Sequence, residues 1–284
     1  MTNPTFWNQF LIWPILNVLI AFYKLFEALK FPGPLGFAII LLTIAIRLLL
    51  YPLMLTQLKS ARKMADLKPH LDELTRRHKD NKQALQQAQL ALYKEHGVNP
   101  AAGCLPLLVQ FPVLIALYNV FFQILNNGNL ENLIADINKI LYHPSLSLTN
   151  LDLTFFGINL GIKPGQFQTQ GMWLLLVPLI TGLLQWYQTK LMMPAQAPVA
   201  RDKGPFDRTQ GKQETGVKIE KKEQKPGDTA GEIQKQMAMI TPVMFGFFAF
   251  QFPLGLSLYW NVFGLFGIMQ QLQVNRQQTR GTAG

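Results

Sequence analysis

An arginine in the middle of an apolar stretch is the first residue whose type and position call for chemistry. The run from Leu35 to Gln57, LGFAIILLTIAIRLLLYPLMLTQ, is long enough to cross a bilayer, and Arg47 lies near its centre. At about 1.5 Å per residue, Arg47 is roughly 18 Å from the start of the run and 15 Å from its end, too deep to reach either interface comfortably. Placing arginine there costs roughly 2.5–3.5 kcal/mol on insertion scales, so it faces protein or water and not lipid. A structural ion pair needs a carboxylate at the same depth, and the other apolar runs contain no Asp or Glu. A functional role is therefore the default reading.

Other reactive side chains are sparse. His70, His78, His96 and His143 lie in hydrophilic segments without metal-ligand spacing, and no span holds a nucleophile beside a base. Cys104 is the one cysteine, which leaves no intramolecular disulfide and no cysteine-built metal site. Neither a metal nor a cofactor is expected, and an enzyme is the weakest of the functional classes. Gln110 stands between Pro106 and Pro112 in a second apolar run. Prolines free backbone carbonyls that neighbouring helices or water must satisfy, so Gln110 either joins helices or lines a wet cavity.

The elements that position these residues follow from composition. Of 284 residues 49% are apolar and 15% charged, a membrane-protein balance. The net charge of +10 is concentrated in two hydrophilic segments beside apolar runs, where topology and anionic lipids explain it better than a specific nucleic-acid sequence.

The spacing predicts an all-α polytopic membrane protein with five transmembrane helices, an N-terminal interfacial helix and a cytoplasmic helical hairpin. Residues 1–34 carry an apolar run of about 14 residues, Phe10–Tyr23, short of the roughly 20 needed to span, with a signal anchor as the competing reading. Residues 35–57 form the first span. Residues 58–100 form the hairpin, its apolar positions Met64, Leu67 and Leu71 recurring at helical spacing and Asp80 or Asn81 capping the second helix.

The second span is 101–126. Residues 127–170 form a loop with two Lys against three acids, placed outside, and 171–193 form the third span. The charged loop 194–236 carries nine Lys or Arg and is placed inside. The apolar stretch from Met237 to Leu272, about 54 Å as one helix, must fold back at Pro253 and Gly255 into spans 237–252 and 254–272. The tail 273–284 is then cytoplasmic and the N-terminus outside.

Three stretches of the chain resemble the YidC/Oxa/Alb family of membrane protein insertases. They are GFAIILLTIAIRLLLYPLMLTQLKSARKMADLKPHLDEL, YKEHGVNPAAGCLPLLVQFPVLIALYNVFF and FPLGLSLYWNVFGLFGIMQQ, about 90 of the 284 residues. The resemblance implies the short form of the family, without a large extracytoplasmic domain, in a bacterial plasma (inner) membrane. It implies a hydrophilic groove containing Arg47, Gln110 and Trp260, with the hairpin residues Met64, Leu67 and Leu71 docking substrate. Implied partners are nascent membrane-protein chains, the Sec translocon, the ribosome and anionic lipids. In that setting Arg47, exposed to groove water, offers a temporary partner to acidic residues of a substrate tail. A small-anion channel or transporter using Arg47 is the alternative; it predicts repeats and further polar rings, which are not seen in the chain.

Overall fold

The computed structural model describes residues 2–79, 81–98, 111–119, 121–122, 130–192 and 229–281, and these are mainly helical. A π-helical turn, Asn8–Ile12, leads into α1 (Trp13–Ala28). Next come α2 (Pro34–Leu49), α3 (Tyr51–Asp66), α4 (Lys68–Arg77), α5 (Lys82–Glu95), α6 (111–119) and α7 (Leu130–Ile140). A two-strand hairpin follows, β1 (Thr154–Phe155) with β2 (Ile158–Asn159), then α8 (Phe167–Gln170) and α9 (Leu176–Met192). The chain closes with α10 (Thr229–Gln251) and α11 (Leu254–Gly281). Gln110, most of the 101–126 segment and most of the 194–236 segment lie outside the described residues.

Several element boundaries differ from expectation for local reasons. The 35–57 run is not one straight helix: Pro52 has no N–H for the carbonyl of Leu48, and the helix breaks at Leu50 before resuming as α3. Helix α10 starts at Thr229, inside the expected charged loop, and α11 continues to Gly281 through the expected tail. The tail's Gln and Arg residues are good helix formers with no proline among them, so nothing stops propagation. The π-turn and α1 together cover Asn8–Ala28, longer than the 14-residue apolar run, and this is the one described helix long and apolar enough to cross a membrane. Pro34–Leu49 and Met239–Gln251 are shorter apolar helices.

Helices α4 and α5 lie within the expected 58–100 segment and touch each other. The Asn81 side chain accepts a hydrogen bond from the Ala84 N–H at 3.0 Å, capping α5. At the other end Gly97 takes φ +60°, Val98 N–H donates to Tyr93 O and Gly97 N–H to Lys94 O, the paired bonds of a Schellman motif. Val98 is buried there, and burial pushes the Tyr93 phenol above its ordinary pKa.

Helix α2 is seated by α1 on one side and α11 on another, while α9 packs on α10 and α11. Leu16, Leu19, Ile20 and Tyr23 of α1 meet Leu35, Ala38, Ile39 and Leu42 of α2 in a shared apolar core. Backbones approach closely at the α9–α10 crossing: a Cβ at Gly246 would lie 3.4 Å from Pro178 O, and one at Gly182 3.5 Å from Pro242 O.

The turn between α10 and α11 is anchored from outside the helices. Leu254 and Gly255, the first residues of α11, donate their N–H groups to the carbonyls of Ile162 and Leu160, both at 2.9 Å. Helix-start donors that have no intrahelical partner are thus satisfied by the 160–162 loop.

Candidate functional site

Arg47 is held where α2 meets α11. Its thirteenth-residue distance along α2 puts it about 20 Å from Pro34. The side chain is only 3% exposed. Nη1 donates to the Gln270 Oε1 at 2.9 Å, and Nη2 donates to the main-chain carbonyl of Phe263. The guanidinium carbon lies 3.4 Å from the centre of the Phe263 ring, a cation–π contact in a desolvated setting. Nε has no hydrogen-bond partner among the described residues.

Among the described residues, the groups that contact the guanidinium are uncharged. The three ion pairs among the described residues, Lys24–Glu27, Arg77–Glu73 and Lys139–Asp136, are local pairs elsewhere, and none involves Arg47. Two carbonyl-type oxygens and a π face therefore stand in for the water expected around this charge. The expectation of an Arg47 exposed to groove water is not met in this conformation: α11 packs directly across it.

Gly267 makes that packing feasible. A Cβ at this position would lie 2.5 Å from Gln188 Nε2 and 3.0 Å from Arg47 Nη2, so the amide of α9 and the guanidinium of α2 converge on the space glycine leaves. Trp260, Phe263, Gly267 and Gln270 recur at spacings of three and four and share one face of α11. Gln188 and Gln270 were not singled out from the sequence. The available signal was a glutamine inside or at the edge of an apolar helix, opposite a helix carrying an unpaired charge.

Trp260 is 7% exposed and belongs to a neighbouring cluster, not to the Arg47 contacts. Its ring lies 5.4 Å from Phe245, 5.8 Å from Phe252 and 6.2 Å from Phe248, tying α11 to α10. Of the three expected groove residues, Arg47 is set against α11, Trp260 is set against the phenylalanines of α10 and the turn after it, and Gln110 lies outside the described residues. In the hairpin, Leu67 is buried and Leu71 partly buried, which in this conformation removes Leu67 from any docking face. Met64 is within α3, and its side chain is outside the described set. Among the described residues no group of three His, Cys, Asp or Glu could hold a metal.

The family model described as 60Kd inner membrane protein matches residues 25–281. A membrane protein insertase YidC of Pelagibacter ubique is 33% identical over 270 residues, covering 95% of this chain and 39% of that protein. Membrane protein insertase MisCA of Bacillus subtilis is 32% identical over 275 residues, covering 94% of this chain and 78% of that protein. Membrane protein insertase YidC 1 of Halalkalibacterium halodurans is 30% identical over 268 residues, covering 93% and 77%. The chain thus spans well under half of the Pelagibacter relative and more than three quarters of the other two. With a model match across nearly the whole chain and relatives covered over more than three quarters of their length at this identity, the chain belongs to the 60Kd inner membrane protein family of bacterial membrane proteins.

Proposed function

We propose that the protein inserts and folds newly made membrane proteins, without a covalent step. The observation that carries this reading is a buried cation, Arg47, paired among the described residues only with neutral oxygens and an aromatic face, in a chain whose relatives are named membrane protein insertases. A polar tail crossing hydrocarbon loses its hydration, at several kcal/mol for each unpaired polar group. A fixed guanidinium part-way across lowers that cost for an acidic tail residue, and burial of the substrate's apolar segment at about 25 cal/mol per Å² drives the process. Helices α2 and α11 must part for a tail to reach Arg47. Gln110 and Trp260 complete the groove in this reading, and the hairpin around Met64, Leu67 and Leu71 receives incoming chains after it loosens.

The same reading places five spans in the bilayer, with the 58–100 and 194–236 segments inside, the 127–170 loop outside, the N-terminus outside and the C-terminus cytoplasmic. The hydrogen bonds of α1 support its placement at the outer interface. Asn17 and Tyr23 are both joined to the 140–152 segment of that outer loop. Nascent chains are the substrates, and the Sec translocon, the ribosome and anionic lipids the partners.

The test is insertion of a single-span protein with an acidic N-terminal tail into proteoliposomes, read by protease protection of the tail, for wild type, Arg47→Lys and Arg47→Ala. Wild type and Lys are expected to insert it, with Ala failing on the acidic tail. Activity no higher than that of empty liposomes, together with an Arg47-dependent anion current, would replace this reading with a channel.

A further inference from the structure

Gln270 Oε1 and the Phe263 carbonyl accept from two of the five guanidinium N–H groups with which a visiting carboxylate can pair. We infer that α11 carries a resident stand-in for the substrate's carboxylate: these two oxygens hold the Arg47 guanidinium while the site is empty, and Gln270 yields when an acidic tail residue binds. The inference rests on the insertase reading and adds to it a means of regulating how tightly a tail is held.

The chemistry of the two acceptors favours exchange. An amide oxygen and a main-chain carbonyl satisfy two of the five guanidinium N–H groups without neutralising the charge, and a carboxylate makes shorter, stronger bonds to the same donors. Because solvent barely reaches Arg47, the competitor that a carboxylate must displace is protein and not water. Displacement costs the bonds already made, so the net gain on tail binding is a difference between two sets of hydrogen bonds and stays modest. That is what release requires.

Two further features fit a stand-in that gives way. The Nε–H, buried and unpartnered among the described residues, leaves the guanidinium a further donor that a carboxylate can take up once α2 and α11 part. Gln270 rotates on flexible torsions, and the Gln188 amide, which faces the same gap beside Gly267, offers a polar neighbour. The identity of residue 270 is critical. Glutamate has nearly the same shape, but its charge would bind Arg47 permanently in this low-dielectric setting.

The test uses the full chain in proteoliposomes and a single-span substrate with a photo-cross-linker in its tail, the tail carrying either Asp or Asn. The readout is the ratio of acidic-tail to neutral-tail cross-linking, with thermal unfolding recorded for each variant. Gln270→Leu, which frees a guanidinium donor, raises the ratio about tenfold, and Gln270→Glu lowers it about tenfold. Arg47→Gln removes the preference, and Arg47→Gln combined with Gln270→Arg restores it, because the guanidinium then projects into the same gap from α11. A ratio unmoved by both Leu and Glu, or moved in the same direction by both in folded protein, overturns the stand-in. Wild type that inserts neither substrate above empty liposomes overturns the insertase reading itself, whereas insertion with unmoved ratios removes the stand-in alone.

Discussion

Gly255 and Gly267 lie on the same helix and both leave room for a neighbour, yet substitution has different consequences at each. A Cβ on Gly255 would stand 1.9 Å from the Phe121 Cζ, and a rigid, fully buried ring cannot swing away without disturbing the core around it. Gly255→Ala should destabilise the protein by about 1–3 kcal/mol, the usual cost of overpacking. Thermal unfolding in detergent checks this, and an unchanged midpoint means the ring is not confined. At Gly267 the nearest atom is the end of the flexible Gln188 side chain, so alanine there displaces an amide first and presses on the Arg47 guanidinium second. Residue chemistry near Arg47 was half legible in the sequence. A lone charge in an apolar run identifies itself, but its neutral partners do not, because glutamine occurs throughout the chain and only contact distinguishes Gln270 from the rest.

At the scale of elements, the outer loop and α1 are joined by one side chain doing three jobs. Asn17 donates to Trp13 O at 2.9 Å and Ile140 O at 3.0 Å, and accepts from Tyr142 N–H at 2.7 Å. Asn17→Ala leaves a buried carbonyl and an N–H without this partner, costing about 1–3 kcal/mol. The expected signature is faster hydrogen exchange at Tyr142 and through the end of α7, with the α4–α5 hairpin unaffected; unchanged exchange would show that the loop holds itself. Helix caps were readable at this scale because their signals are local: Asn81 and Gly97 close α5 through residues no more than a few positions away. Helix ends set by weak propensity were not. The 229–236 and 273–281 segments are polar yet helical, since a helix already started extends cheaply into residues that do not oppose it.

For the whole molecule, the arrangement of charged segments makes a direct prediction of sidedness. In a Cys104→Ser background, a cysteine at Lys163 should react with an impermeant thiol reagent from outside intact cells, and one at Lys79 only after the membrane is opened. Labelling of both from the same side would overturn the topology. The anchoring of α11 by the Leu160 and Ile162 carbonyls agrees with this order, because it ties the α10–α11 turn to the 127–170 loop.

The sequence by itself determined the helical class, the apolar runs, the fold-back at Pro253 and the presence of a deep cation without a carboxylate in any apolar run. Those properties depend on transfer free energies and on near neighbours, which composition and spacing express directly. The tertiary structure alone decided what surrounds that cation. Arg47 and Gln270 are separated by 223 positions, and they meet only because α2 crosses α11 at Gly267. Close packing requires complementary shapes from distant segments at once, and no local pattern records which glutamine, which carbonyl and which ring will face the charge.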